Sequence, residues 1–332
     1  MIAIRPLIFK YIPGIAFKRN IIHVLDLVFY WKERMNDYSS LHRSFRNGNG
    51  YDLNLKNPKT HHELIQIKKL TDRDPLLVLT SDKYKVRAYI KKMLGPELSK
   101  EILIPLFFTV KDARDIPFER LPPTYFLKAN HFSGANLLVT PETNREMLIK
   151  TANHWLANTY GQKLHEWAYK RISPRLIGEK LLLDSQGKIP PDIKFYCFHG
   201  RVKLIMLVDD RMSDMKMYYF DEFLTEIQME LTWDPFPRNR LPADNILKKM
   251  KEIASVLASP FDFVRVDMYA IEDRIFFGEM THYCGSGIDP FPDVRLDKVL
   301  GKYWDERFLD YDLIRLLREE GIFMSELHSS HD

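Results

Sequence analysis

Residues 261–287 read FDFVRVDMYAIEDRIFFGEMTHYCGSG, two runs rich in Val, Ile, Phe, Tyr and Met flanking the polar triplet Glu272, Asp273 and Arg274. This pattern specifies a β-hairpin with a three-residue loop. With Ile271 opposite Ile275, Asp267 falls opposite Glu279 and Arg265 opposite Thr281. Side chains alternate along a strand, so these four share one face. Val264, Val266, Met268, Ala270, Phe276, Gly278 and Met280 then form an apolar face behind them. Two carboxylates abreast on a ladder repel one another unless a cation lies between them. Mg2+ suits such a pair, because it takes one or two carboxylates and completes its octahedron with water and phosphate oxygens. A solvated face whose acids pair with Arg265 is the plainer account of the hairpin taken alone.

The rest of the chain is that of an ordinary folded protein. Its 332 residues are 45% hydrophobic and 28% charged, enough for two or three subdomains with cores of their own. A formal charge of +4 favours anionic ligands weakly and gives no indication of nucleic acid. Cys197 and Cys284 make neither a disulfide framework nor a CxxC metal site, in keeping with a reducing cytoplasm.

The first stretch, MIAIRPLIFKYIPGIAF, is broken by Arg5, Pro6, Lys10 and Pro13, so it matches neither a membrane span of about 18 residues nor a signal peptide. Asn20 to Tyr38 reads as an amphipathic helix, and Lys18, Arg19, Lys32 and Arg34 leave open a peripheral attachment to the inner face of an anionic membrane. Docking of this helix on the core is the simpler expectation. Residues 47–50 read as a loop, and Thr60 with Glu63 as a capping box, with His61 and His62 at the surface of the helix it starts. Pro75 to Thr80 reads as a short strand. Ser81 is expected to cap a basic helix, DKYKVRAYIKKML, that stops at Gly95 and sets Lys83 at a phosphate-attracting start.

Tyr125 to Lys128 and Asn136 to Val139 read as strands joined by ANHFSGA, a loop offering backbone NH groups, Ser133 and Gly134. A lysine ending a strand beside such a loop can bracket a polyphosphate without a P-loop, though a hairpin turn with a surface lysine fits as well. A helix over 142–159 follows, with Met147, Leu148, Ala152, Trp155 and Leu156 inward. Arg175 to Leu183, Asp192 to Phe198 and Val202 to Arg211 read as strands, Ala243 to Ala258 as a helix, and 308–322 as a closing helix. Strands pairing as hairpins with intervening helices specify an α+β fold.

The order of parts is more specific than any one of them. The phrases SDKYKVRAYIKKMLG, FLKANHFSG, PRLIGEKLL, PPDIKFYCFHG and VRVDMYAIEDRIFFGEMT resemble, in sequence, the ATP-grasp superfamily, and most closely its teichuronopeptide-biosynthesis (TupA-like) branch, over 59–301. The resemblance implies two α+β subdomains with antiparallel sheets clasping ATP, here preceded by a mainly helical N-terminal region. The expected divisions are 1–80, 81–170, 171–305 with the metal site, and 306–332. By position, Lys83 and Lys128 would contact ATP phosphates beneath a loop containing His131, Ser133 and Gly134. Glu179, Lys180, Leu181 and Leu182 would meet adenine, with Asp184 near the ribose. Asp267 and Glu279 would hold Mg2+, with Thr281 standing where the superfamily usually has a metal-binding Asn. Arg265, Lys194 and Arg211 would face the transferred phosphoryl group, and His282, Ser286 and Gly287 the substrate.

The implied reaction joins a small amine, an amino acid or amino sugar, to a carboxylate-bearing sugar or glycan precursor of cell-surface polysaccharide synthesis. Two other readings stand beside it. One is a sugar-nucleotide transferase using a DxD pair, either Asp72 with Asp74 or Asp310 with Asp312. The other is a nucleotide-binding protein without catalysis.

Overall fold

Strand formation concentrates in the middle and late parts of the chain, and helices dominate before them. The computed structural model describes residues 15–161, 164–209, 215–227, 236–237 and 240–322. In chain order come α1 (Ile15–Met35), α2 (Ser39–Asn49), α3 (His61–Thr71), α4 (Pro75–Ser81), α5 (Val86–Leu94) and α6 (Pro96–Ile102). Strands β1 (Leu106–Val110), β2 (Tyr125–Ala129) and β3 (Asn136–Val139) lead into α7 (Arg145–Ala157), α8 (Trp167–Lys170) and β4 (Leu176–Glu179). Then come β5 (Asp192–Phe198), β6 (Arg201–Asp209), β7 (Lys216–Asp221), α9 (Asp244–Ala258), β8 (Phe263–Ile271) and β9 (Arg274–Thr281). Helices α10 (Val294–Lys302) and α11 (Leu313–Glu319) follow. The fold is α+β with two antiparallel sheets, ordered β1-β4-β2-β3 and β7-β6-β5-β8-β9.

Two units divide the chain, each assembled from three segments. One takes Met1–Arg43, Asp72–Val86 and Ile104–Leu181, and the other Ser44–Thr71, Arg87–Leu103 and Leu182–Asp332. Strand β4, beyond the division expected at 170, is hydrogen-bonded in the first sheet to both β1 and β2.

In the first unit, alternation along β2 turns Tyr125, Leu127 and Ala129 into a core shared with Phe108, Leu148, Ala152, Leu156 and Leu176. Phe126 and Lys128 take the opposite face, joined there by Glu179, which pairs with Phe126. Met147 is exposed rather than inward, because α7 begins only at Arg145, capped by Asn144, and turns Leu148, Ala152 and Leu156 to the sheet. Residues 75–81 are helical, not a strand. Pro75 fits the first helical turn, where its missing NH is no loss, and the Asp74 carboxylate accepts from the Leu76 NH at 2.8 Å. Ser81 therefore ends α4 instead of capping the next helix, and Asp82 caps the turn before α5 by accepting from the Tyr84 and Lys85 NH groups.

In the second unit, α9 buries Ile246, Leu247, Met250, Ile253, Ala254 and Leu257 against β5, β6, β8 and β9. The other face of β5 and β8 changes character along its length. Phe198 and Phe263 are closed over by Trp304 and His61, Tyr196 and Arg265 come next, and Lys194 and Asp267 follow. The capping box starts α3, with the Glu63 NH donating to Thr60 Oγ1 and the Thr60 NH donating to Glu63 Oε2. His61 and His62 are buried rather than at the surface. Trp304 Nε1 donates to His61 Nδ1 at 3.0 Å, and His62 Nδ1 lies 3.1 Å from the Asp297 carboxylate. Asn47, Gly48 and Asn49 close α2 instead of forming a loop. Gly48 lies against the Ile288 backbone, where an added Cβ would be 2.0 Å from the carbonyl oxygen.

Candidate active site

The hairpin β8–β9 places Asp267 opposite Glu279 and Arg265 opposite Thr281. It does so by a different route from the simple register. Ile271 pairs with Arg274, so the loop is the two residues Glu272 and Asp273, and a bulge between Asp267 and Met268 absorbs Gly278 on the facing strand. Without that bulge the two-residue loop would set Asp267 opposite Gly278 and send Glu279 to the core face. The bulge also changes the apolar set, since Phe277 and Ile275, not Phe276 and Gly278, pair with Met268 and Ala270.

Asp267 is 2% exposed, and both its oxygens are engaged. Arg265 Nε donates to Oδ1 at 2.7 Å, while Arg265 Nη2 and Lys194 Nζ each donate to Oδ2 at 2.7 Å. Lys194 also lies 3.2 Å from Asp192 Oδ2, an acid that the sequence reading passed over although it shares the lysine's face two residues away. Arg265 Nη2 reaches Thr281 Oγ1 at 3.3 Å and Glu279 Oε1 at 3.9 Å. Burial opposes the charge of Arg265, yet the Asp267 carboxylate beside it holds the guanidinium well above its ordinary range. Behind this cluster, burial pushes the Cys284 thiol up to about 11 against the pull of Arg265, so it remains a thiol at neutral pH.

Asp267, Glu279 and Thr281 supply two carboxylates and a hydroxyl on one sheet face, hard oxygen donors of the kind Mg2+ takes. Among the described residues there is no group of three His, Cys, Asp or Glu suited to a metal. Two carboxylates and a hydroxyl leave positions in the shell of such an ion for water and phosphate oxygens.

The first unit gathers the residues expected at phosphate. Lys128 Nζ donates to Glu179 Oε2 at 2.8 Å. The Lys83 NH donates to the Asn130 carbonyl at 3.1 Å and its Nζ to the Phe132 carbonyl at 3.2 Å, so Lys83 underlies the loop. Asn130 organises that loop from a fully buried position. Its Nδ2 donates to Asp82 Oδ1 and to the Ser173 carbonyl, and its Oδ1 accepts from the Arg175 NH. His131 is buried with Nε2 3.2 Å from the Asn158 carbonyl, Ser133 is exposed, and Gly134 has φ 76°, the left-handed conformation glycine adopts without strain. Asn130 carries the structural role here, and the amide beside His131 was the signal for it.

Strand β4 ends at Glu179, with Lys180 exposed and its NH bonded to the Pro105 carbonyl. Leu181 is half-buried and Leu182 buried. Asp184 Oδ1 accepts from the Gln186 and Lys188 NH groups and so shapes its own turn. Arg211 lies outside the described residues.

After β9, Gly285, Ser286 and Gly287 are consecutively left-handed, with φ of 49°, 55° and 63°. Gln66 Nε2 holds the Ser286 and Gly287 carbonyls, Asn49 Nδ2 the Gly287 carbonyl, and Lys69 Nζ both the carbonyl and the hydroxyl of Ser286. The Ser286 hydroxyl is therefore directed to Lys69. His282 is fully buried, with its ring 4.8 Å from that of Phe261. The two DxD pairs serve local structure. Asp72 accepts from the Asp74 NH, Asp74 and Asp312 cap α4 and α11, and Asp310 pairs with Arg201.

Comparison with solved structures returns D-alanine–D-alanine ligase from Bacillus anthracis complexed with ATP, at 14% identity and TM-score 0.36 over 61% of this chain. N5-carboxyaminoimidazole ribonucleotide synthetase from Thermus thermophilus is similar at 12% identity and TM-score 0.37 over 61% of the chain. The chain spans 54% and 45% of these two proteins, about half their length. The ATP-grasp ligase PsnB, complexed with minimal precursor, Mg and ADP, is 12% identical with TM-score 0.37, covering 74% of this chain and 66% of its own. No curated protein sequence matches the chain. The TupA-like ATP-grasp family matches residues 63–305, a span running from the first turn of α3 to the end of α10 and holding both lysine sites and the acid hairpin, and the protein belongs to that family.

Proposed function

We propose that the protein is an ADP-forming carboxylate–amine ligase, joining an amino acid or amino sugar to a uronic acid or similar group of a cell-surface polysaccharide precursor. The observation that carries this reading is the buried Lys194–Asp267–Arg265 array with Glu279 directly across the ladder. Cations and hard oxygen donors converge there on one sheet face, with Glu279 the most exposed of them, an arrangement suited to a phosphoryl group in transfer.

In this reading a carboxylate oxygen of the acid substrate attacks the γ-phosphorus of ATP. The bond from that phosphorus to the β-bridging oxygen breaks, and ADP leaves with its electron pair. The amine then attacks the acyl carbon of the resulting acylphosphate, the carbon–oxygen bond to phosphate breaks, and the amine gives up a proton as the amide forms. Lys83, Lys128 and the NH groups of the loop after Asn130, whose own NH is bonded to the Arg175 carbonyl, hold phosphate oxygens, and Arg265 and Lys194 offset the charge that develops on the transferred group. Mg2+ held by Asp267 and Glu279, with Thr281, would neutralise phosphate charge when bound. Glu179 to Leu182 and Asp184 serve the adenosine, and the 282–287 segment the acceptor. The protein would work in the cytoplasm, with its N-terminal region as the site of any membrane contact.

Mass spectrometry of products from a mixed pool of uronic acids, amino acids and amino sugars with MgATP tests this directly. The expected product has the summed mass of acid and amine less one water, with ADP and inorganic phosphate released. A product gaining phosphate alone, or sugar transfer that ignores ATP, would contradict the proposal.

A further inference from the structure

Helix α1 docks on the first unit by one side only. Ile22, Asp26 and Glu33 are buried there; Thr159 Oγ1 donates to Asp26, the Ser40 NH and hydroxyl donate to Glu33, and Phe29 stacks on His165 at 5.9 Å. The outward side is apolar. Val24 is 59% exposed, Leu27 48%, Val28 55%, Trp31 56% and Met35 77%, at spacings of three and four residues that align them in one stripe. Arg34 borders the stripe on one side, its guanidinium 5.7 Å over the Trp31 ring, and exposed Lys32 borders it on the other.

The charge is as one-sided as the apolarity. Both acidic residues of α1 turn inward, so its exposed charges are basic, and in sequence residues 1–20 add Arg5, Lys10, Lys18 and Arg19 with no Asp or Glu. An outward stripe bearing Trp at its centre and long cationic side chains at both margins matches a helix that lies in the plane of a lipid interface, with its basic residues reaching to headgroup phosphates. Among the described residues no helix is long and apolar enough to cross a membrane. A partner protein surface would need no excess of positive charge at the margins.

We propose that the outward face of α1 docks the protein on an anionic phospholipid surface, through Val24, Leu27, Val28, Trp31 and Met35 with Lys32 and Arg34 at the edges. This surface is distinct from the residues assigned to ATP and the acceptor, so it stands or falls separately from the ligase reading.

Sedimentation of the full chain with phosphatidylcholine vesicles, with and without phosphatidylglycerol, tests it. The wild type is expected to pellet with the anionic vesicles only, and less at high salt. Leu27→Glu/Trp31→Glu should lower partitioning by about 10-fold or more. Lys32→Gln and Arg34→Gln should each lower it by about 5-fold. Unchanged unfolding midpoints and unchanged ATP consumption show that each variant remains folded. Failure of the folded wild type to pellet at low salt would overturn the proposal, as would equal pelleting of Leu27→Glu/Trp31→Glu. So would a concentration-dependent dimer that the same substitutions dissolve, because the stripe would then be a contact between copies.

Discussion

Asp267 accepts three hydrogen bonds from two buried cations, so its charge holds the cluster together. Removing one partner from a buried ion pair costs about 3–5 kcal/mol, because the charges left behind stay desolvated. Asp267→Asn is expected to lower stability by about that amount in urea unfolding. It should also abolish ADP release under conditions where the variant remains folded. Lys194→Met leaves Asp267 held by Arg265 but takes the ammonium away from buried Asp192 as well, and should also lower stability in the same assay. His61 is fully buried. Burial pushes its imidazole from 6.5 down to about 3. Below pH 6.5 the unfolded chain takes up a proton that the folded chain refuses until about pH 3, so stability falls as pH falls through that window. The slope from this group is about 1.4 kcal/mol per pH unit and vanishes above its unfolded value. Urea midpoints of His61→Phe should therefore change less between pH 7 and pH 5 than those of the wild type.

At the scale of elements, the hairpin depends on Gly278. A Cβ there would lie 3.0 Å from the Asp267 carbonyl oxygen and 3.1 Å from the Tyr269 ring, tighter than the bulge readily accepts. Gly278→Val is expected to destabilise by about 1–3 kcal/mol. Its ATP-dependent activity should fall further than the fraction unfolded explains, because the bulge is what sets Glu279 opposite Asp267. The alternation of RVD and GEMT made the acid pair legible in the sequence, yet through an assumed three-residue loop. The actual two-residue loop and bulge compensate one another, and period-two reasoning has no means of seeing a bulge. Elements fixed by local chemistry were legible elsewhere too, as with the Thr60–Glu63 capping box and the β2–β3 pair. Pro75 to Ser81 misled because a short apolar run has no periodicity of its own, and Asp74 with Pro75 decided for helix. Strand β1 was missed for the same reason, a five-residue run with no alternation. His61 and His62 are ordered by Trp304, Phe291 and Asp297, more than two hundred residues away.

At the scale of the whole molecule, five short phrases in order carried the family, and the family match covers them all. Their order could not reveal that each unit is built from three separated segments, because cutting a chain at successive boundaries assumes that neighbours in sequence pack together. In the proposed ligase reaction Lys128 contacts the phosphates of ATP, and the Asp267–Glu279 pair holds its magnesium. Calorimetric titration of the protein with ATP, in Mg2+ and again in EDTA, tests this most directly. The wild type is expected to bind much more tightly with Mg2+, Glu279→Gln to lose most of that difference, and Lys128→Met to bind about 10-fold or more weakly in both. No ATP binding by the folded wild type, or the same Mg2+ dependence in wild type and Glu279→Gln, would contradict the account.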